Sequence, residues 1–114
     1  VAVFVGKVYE DCINGAGVKM IEFSAQQTIA KTVSEEVIAE SKKRFGIIEA
    51  EILHSVGQVK TGESCFFVKV CGQHRKESFA ALSYIVDAVK SRCPIFGKEI
   101  LAEGGYKWKE NTYE

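Results

Sequence analysis

Around Gly72 the hydrophobic pattern changes its period. Before it, Ser64–Cys71 (SCFFVKVC) alternates, with Phe66, Val68 and Val70 on one face and Cys65, Phe67, Lys69 and Cys71 on the other, as a β-strand requires. After it, from about Arg75 to Arg92, apolar residues recur at helical spacing. Pro94, the only proline, ends that helix. A half-buried strand that leads straight into a one-sided helix must bury both apolar surfaces in one interior. That predicts an α+β class, with helices packed on a mostly antiparallel sheet.

The rest of the chain fits this frame. Val1–Val8 (VAVFVGKV) reads as a buried strand, Tyr9–Gly17 as a polar loop and Val18–Phe23 as a second strand. Ser24, with Gln27 three residues on, has the form of a capping box. The helix it predicts carries Ile29, Val33, Val37 and Ile38 on one side and stops at Gly46. Ile47–Val56 alternates, with Ile48, Ala50, Ile52, His54 and Val56 on one face. Gly57–Gly62 reads as a turn or short loop, and Lys98–Trp108 as a hairpin around Gly104-Gly105. The expected order is β-β-α-β-β-α-β-β. Phe67, apolar on the second face of its strand, points to burial on both sides by a second subunit.

A chain of 114 residues is expected to form a single domain over 1–114. Its formal charge is zero, so no global signal points to nucleic acid or membrane, and no apolar run approaches a membrane span. Cys12, Cys65, Cys71 and Cys93 form no CxxC pair. Two histidines and scattered cysteines make no metal site, and no cofactor is implied. Cys65 and Cys71 lie roughly 20 Å apart along one strand and cannot pair. Free thiols in a reducing cytoplasm are the expectation.

Charge is distributed unevenly. His74, Arg75 and Lys76 open the second helix, where cations are unfavourable. From Gly72 to Lys109 there are seven Lys or Arg against four acids. Free N–H groups at a helix start, with His74 and Arg75 beside them, suit a phosphate or carboxylate. The predicted apolar stripe is Phe79, Leu82, Ile85, Val86 and Val89. Lys90 lies about 20° past Phe79, at the margin of that stripe. It is either a lysine whose stem covers the core edge or a partly desolvated base or nucleophile. The two ends of the helix are roughly 22 Å apart, so one small ligand reaches both only across a subunit interface or through a folded-back loop after Pro94. His54 reads as a core histidine. Gly15 and Gly17 lack the context of a nucleotide-binding loop.

Several of these residues recur together. VFVGKV near the start, HSVG (54–57), Gly62-Glu63, HRKESF (74–79), Asp87, Lys90, PIFGKE (94–99) and Gly105-x-x-Trp108 resemble, in order and spacing, the large catalytic subunit of molybdopterin synthase. The resemblance spans nearly the whole chain and lacks the family's N-terminal part. It implies an α/β hammerhead-like fold and a homodimer. It also implies a small ubiquitin-like sulfur-carrier subunit docked at each end by its C-terminal Gly-Gly thiocarboxylate. Two sulfurs would pass to cyclic pyranopterin monophosphate (precursor Z), forming molybdopterin. By position, Lys90 matches the family's essential lysine, as base or as transient captor of the carrier carbonyl. His74 and Arg75 match residues that hold the substrate's anionic part. Lys98 and Glu99 match a loop that closes the pocket.

The chain also departs from the family. The family's first loop lysine falls on Gly97, leaving Lys98 in the second basic position. The family's Gly-x-Val-Arg reads Gly6-Lys7-Val8-Tyr9 here, so Tyr9 replaces an arginine and Lys7 is the candidate to stand in. Phe23 and Ser24 follow Glu22 where the family often has Glu-x-Tyr. The expected site is therefore catalytic Lys90 and Lys98, with Lys7, Val8, Tyr9, His74, Arg75, Gly97 and Glu99 binding substrate. The competing expectations are a relative that binds carrier or pterin without turnover, and an unrelated anion-binding module.

Overall fold

The computed structural model describes residues 1–9, 12–13, 16–102 and 104–109. Gly15 and Glu103, and parts of the expected Tyr9–Gly17 loop, lie outside them. The elements run β1 (Ala2–Lys7), β2 (Cys12–Ile13), β3 (Ala16–Ala25), α1 (Gln27–Phe45), β4 (Glu49–His54), β5 (Gly57–Lys60), β6 (Ser64–Cys71), α2 (Arg75–Arg92), β7 (Ile95–Leu101) and β8 (Tyr106–Trp108). The expected α+β class holds, with the strands divided between two sheets. One has the order β1-β6-β4; the other has β2-β3-β7-β8, with β5 also paired to β3. Every pairing is antiparallel.

Each sheet has its own core. Phe66, Val68 and Val70 of β6 pack with Ala81, Ile85, Val86, Ala88 and Val89 of α2 and with Val37 of α1. Val18, Ile21 and Phe23 of β3 pack with Val8 and Val59. Cys65 and Ile95 touch both clusters and so mark the junction between the two halves.

Several sequence expectations need correction. Gly57–Lys60 is a strand, not a turn, because its backbone pairs with β3 from Gly57 against Phe23 to Lys60 against Met20. The Ser24 capping box does not form: Ser24 stays in β3 opposite Phe96, and Gln26 precedes α1 with its N–H on the Pro94 carbonyl at 3.1 Å. Gly46 does end α1, at φ 70°. The segment after Pro94 is a paired strand, not a loop. β1 is buried on one face only, with Val3 and Val5 exposed on the other. Ile48 and Val56 are likewise exposed, outside the limits of β4.

The buried stripe of α2 is also rotated from the expected one. Phe79 is 59% exposed, while Ser78 and Ala81 are buried. Small side chains let the helix approach the sheet closely, and Ser78 donates to the His74 carbonyl at 2.8 Å, so its hydroxyl is buried at little cost.

Candidate active site

The end of β1 and the start of β6 form one wall. Their register shifts after Gly6, so that Lys7 lies opposite Ser64. Val8, 1% exposed, is fixed on both sides: its N–H donates to the Glu63 carbonyl at 3.0 Å and its carbonyl accepts from Gly62 at 2.8 Å. Lys7 and Tyr9, on either side of it, are exposed. Cys65 donates its thiol to the Gly6 carbonyl at 3.5 Å. An open cleft of about 410 Å³ borders this wall, lined in part by Val5, Leu53, Ser64, Cys65 and Phe67.

The last turn of α2 brings Lys90 to the same junction. Lys90 is half-buried. Arg92 turns away to α1, with Nη1 2.8 Å from Glu40 and Nη2 3.6 Å from Glu36. Burial pushes the Cys65 thiol up, and the positive charges of Lys109 and Lys90 pull it back. Each lysine by itself lies within electrostatic reach of that thiol.

β7 decides which of its residues face that point. Ile95, Gly97 and Glu99 alternate with Phe96, Lys98 and Ile100, and Gly97 and Glu99 are the buried ones. Lys98 lies on the other face, with its Nζ 4.0 Å from the centre of the Tyr106 ring. A Cβ at Gly97 would meet Ile21 at 3.1 Å, Phe23 at 3.2 Å and the Lys109 Cβ at 3.5 Å. Lys109 donates its N–H to the Gly97 carbonyl at 2.8 Å. Its side chain thus starts on the same face as Gly97. Glu99, 9% exposed, keeps Oε2 without a hydrogen-bond partner among the described residues.

The start of α2 is a separate place. Glu77 Oε1 accepts from the His74 N–H at 2.6 Å and lies 3.1 Å from His74 Nδ1. This acid offsets the unfavourable cations and caps the helix. The expected anion is therefore not needed to explain the sequence His74-Arg75-Lys76. Both His74 and Arg75 remain exposed, roughly 22 Å from Lys90 by helical rise. His54 sits between Phe23 and Phe66, at 4.8 and 5.3 Å between ring centres, with Nδ1 2.8 Å from the Ser55 carbonyl. Burial holds its protonation below the usual histidine range.

One chain thus buries Val8, Gly97 and Glu99, half-buries Lys90 and leaves Lys7 and Tyr9 exposed on either side of Val8. It leaves His74 and Arg75 at the far end of α2 and sets Lys98 on the face of β7 opposite Gly97. Sequence reasoning counted Lys109 only as one basic residue among seven. The hairpin register was the signal that could have placed it: pairing of Lys98 with Trp108 sets Lys109 beside Gly97.

Comparison with known proteins adds the following. A family model described as "MoaE protein" matches residues 1–92. The chain is 34% identical over 110 residues to the molybdopterin synthase catalytic subunit of Pyrococcus abyssi, spanning 96% of this chain and 73% of that protein. It superposes on the crystal structure of molybdopterin synthase from Staphylococcus aureus with a TM-score of 0.88 at 27% identity, over 96% of this chain and 79% of that one. The complex of subunits 1 and 2 of the molybdopterin-converting factor from Helicobacter pylori gives a TM-score of 0.79 at 22% identity, over 96% and 70%, a likeness of fold.

Proposed function

The chain belongs to the MoaE protein family, and from that membership we propose that it is the catalytic subunit of a molybdopterin synthase. In this reading it is a sulfurtransferase of molybdenum cofactor biosynthesis. It takes sulfur from the thiocarboxylated Gly-Gly terminus of a small ubiquitin-like carrier and delivers it to precursor Z. The observation that carries the reading is the match of nearly the whole chain to a protein of that name, with Lys90 inside the matched span. The binding-only alternative is not favoured, because the relatives bear the name of a catalytic subunit.

Lys90 is the central group. A half-buried amine at the junction of the two cores is placed to act as base or to capture the carrier carbonyl. His74 and Arg75 act from a second copy of the chain. Their distance from Lys90 within one chain supports a site shared across a homodimer. The outer face of the β1-β6-β4 sheet supports the same assembly. Val5, Phe67 and Leu53 stand in register across its three strands, and Val5 and Leu53 are 44% and 55% exposed. Such an apolar row suits a twofold interface. The small-carrier partner is supported by the fold-level likeness to a chain solved as a two-subunit complex. Free thiols at Cys65, Cys71 and Cys93 support the cytoplasm as its compartment. Among the described residues, no helix is long and apolar enough to cross a membrane.

The test mixes the protein with precursor Z and thiocarboxylated carrier and follows dithiolene formation. Product that requires all three components is the expected result. Carrier binding without product would return the binding-only reading.

A further inference from the structure

We propose that Glu77 is a positioning residue for His74: its carboxylate holds the imidazole by Nδ1, so that Nε2 is the atom His74 presents to the anionic part of the substrate. The inference rests on the function proposed above, in which His74 binds substrate, and adds a residue that acts through it. Two contacts carry it. Glu77 Oε1 lies 2.6 Å from the His74 backbone nitrogen and 3.1 Å from Nδ1 of the same residue. The surroundings hold the carboxylate in place. Glu77 is in the first turn of α2, where a glutamate side chain turns back to the residue before the helix. Its stem packs on Gly72, where an added Cβ would lie 3.2 Å from Glu77 Cγ, and Oε2 lies 3.8 Å from where a Cβ would stand at Gly46. The Glu77 side chain is 24% exposed and that of His74 82%. The carboxylate is therefore the fixed member of the pair, and the imidazole is the one open to a ligand.

The tautomer follows from this arrangement. An ionised carboxylate can only accept a hydrogen bond, so Nδ1 carries a proton and donates it to Oε1. The Glu77 N–H also faces the His74 side chain, as in a reciprocal capping box. A ring that accepted that N–H through Nδ1 would carry its proton on Nε2 instead. It would then set a bare Nδ1 lone pair against the carboxylate at 3.1 Å, which the Oε1 contact disfavours. With Nδ1 engaged, Nε2 is the nitrogen left for a ligand. An exposed histidine without Glu77 would offer either nitrogen in several directions, and substrate would have to order it on binding. Fixing the ring beforehand removes that cost.

The experiment uses the full chain with nitrogen-15 in its histidine rings. Long-range proton–nitrogen correlation spectra, taken where the ring is neutral, read which nitrogen holds the proton, and His54→Gln separates the two histidines. The expected result is a proton on Nδ1 of His74 in wild type, kept in Glu77→Gln, whose amide oxygen also accepts, and moved to Nε2 in Glu77→Ala. Steady-state turnover on the same proteins adds the functional reading. KM for precursor Z should rise about three- to tenfold in Glu77→Ala with kcat within about twofold, and Glu77→Gln should recover most of the loss. A proton on Nε2 in wild type overturns the proposal, because the ring then serves only to cap the helix. A tautomer that is the same in Glu77→Ala overturns it too, as does one that moves while KM stays level. If wild type makes no product from precursor Z and thiocarboxylated carrier, the proposed function falls instead, and the spectra still report whether Glu77 sets the ring.

Discussion

Replacing Leu53 by glutamate tests the proposed interface. Leu53 is 55% exposed in a row with Phe67 and Val5. Covering the exposed half of such a side chain is worth about 1 kcal/mol at ~25 cal/mol/Å². A twofold interface contains the position twice. Leu53→Glu therefore forfeits about 2 kcal/mol of burial and moves two carboxylates out of water, at about 2 kcal/mol or more each. The sum, roughly 6 kcal/mol, corresponds to about four decades in the dimer dissociation constant. Sedimentation velocity across the micromolar range reads it directly. Wild type should sediment as a dimer and Leu53→Glu as a monomer. Ala80→Glu, a new charge on the exposed face of α2, should leave the dimer intact. A Leu53→Glu variant that sediments as wild type would refute the assignment of this face.

Two further outcomes concern the fold. Ile85 is 0% exposed at the centre of the larger core, so Ile85→Ala should cost about 3 kcal/mol, read as a lower urea midpoint with unchanged slope; a loss under about 1 kcal/mol would mean that the site collapses around the cavity. His54 is held neutral by burial, below its ordinary 6.5. As pH falls through 6.5 the unfolded chain takes up a proton that the folded chain refuses. Stability should therefore decrease from about that pH downward, until the folded-state value is passed. His54→Gln should flatten the slope in urea unfolding at successive pH values, and an unchanged slope would reassign it to the carboxylates.

The elements that sequence revealed are those whose signal is local. Ser64–Cys71 and Arg75–Arg92 have long clean periods, and Pro94 stops the helix, so both were legible to the residue. β5 was not, because four residues between Gly57 and Gly62 read as a turn until β3 pairs with them. Ser24 carried a capping signature that strand pairing with Phe96 overrode. Phe79 was misplaced because apolar character was counted without size; Ser78 and Ala81 take the buried face by being small.

The site divides the same way. Lys90 was singled out by its angle on the helix, a one-element property. The role expected of Lys98 came from resemblance to a pocket-closing loop, not from the hairpin that the residues themselves suggested. A strand there has strict parity, and parity sends Lys98 outward and Gly97 inward. The position of Lys109 depends on the register of β8 against β7, which becomes readable only once the hairpin is aligned.

The most direct test of the central claim is the single-turnover rate of dithiolene formation by Lys90→Ala, with carrier and precursor Z affinities measured on the same preparation. If Lys90 acts at the reacting carbonyl, the rate falls by about 10²–10⁴-fold while both affinities stay within about threefold of wild type. Product at the wild-type rate would show that Lys90 is a core-edge lysine and that the chemistry lies elsewhere.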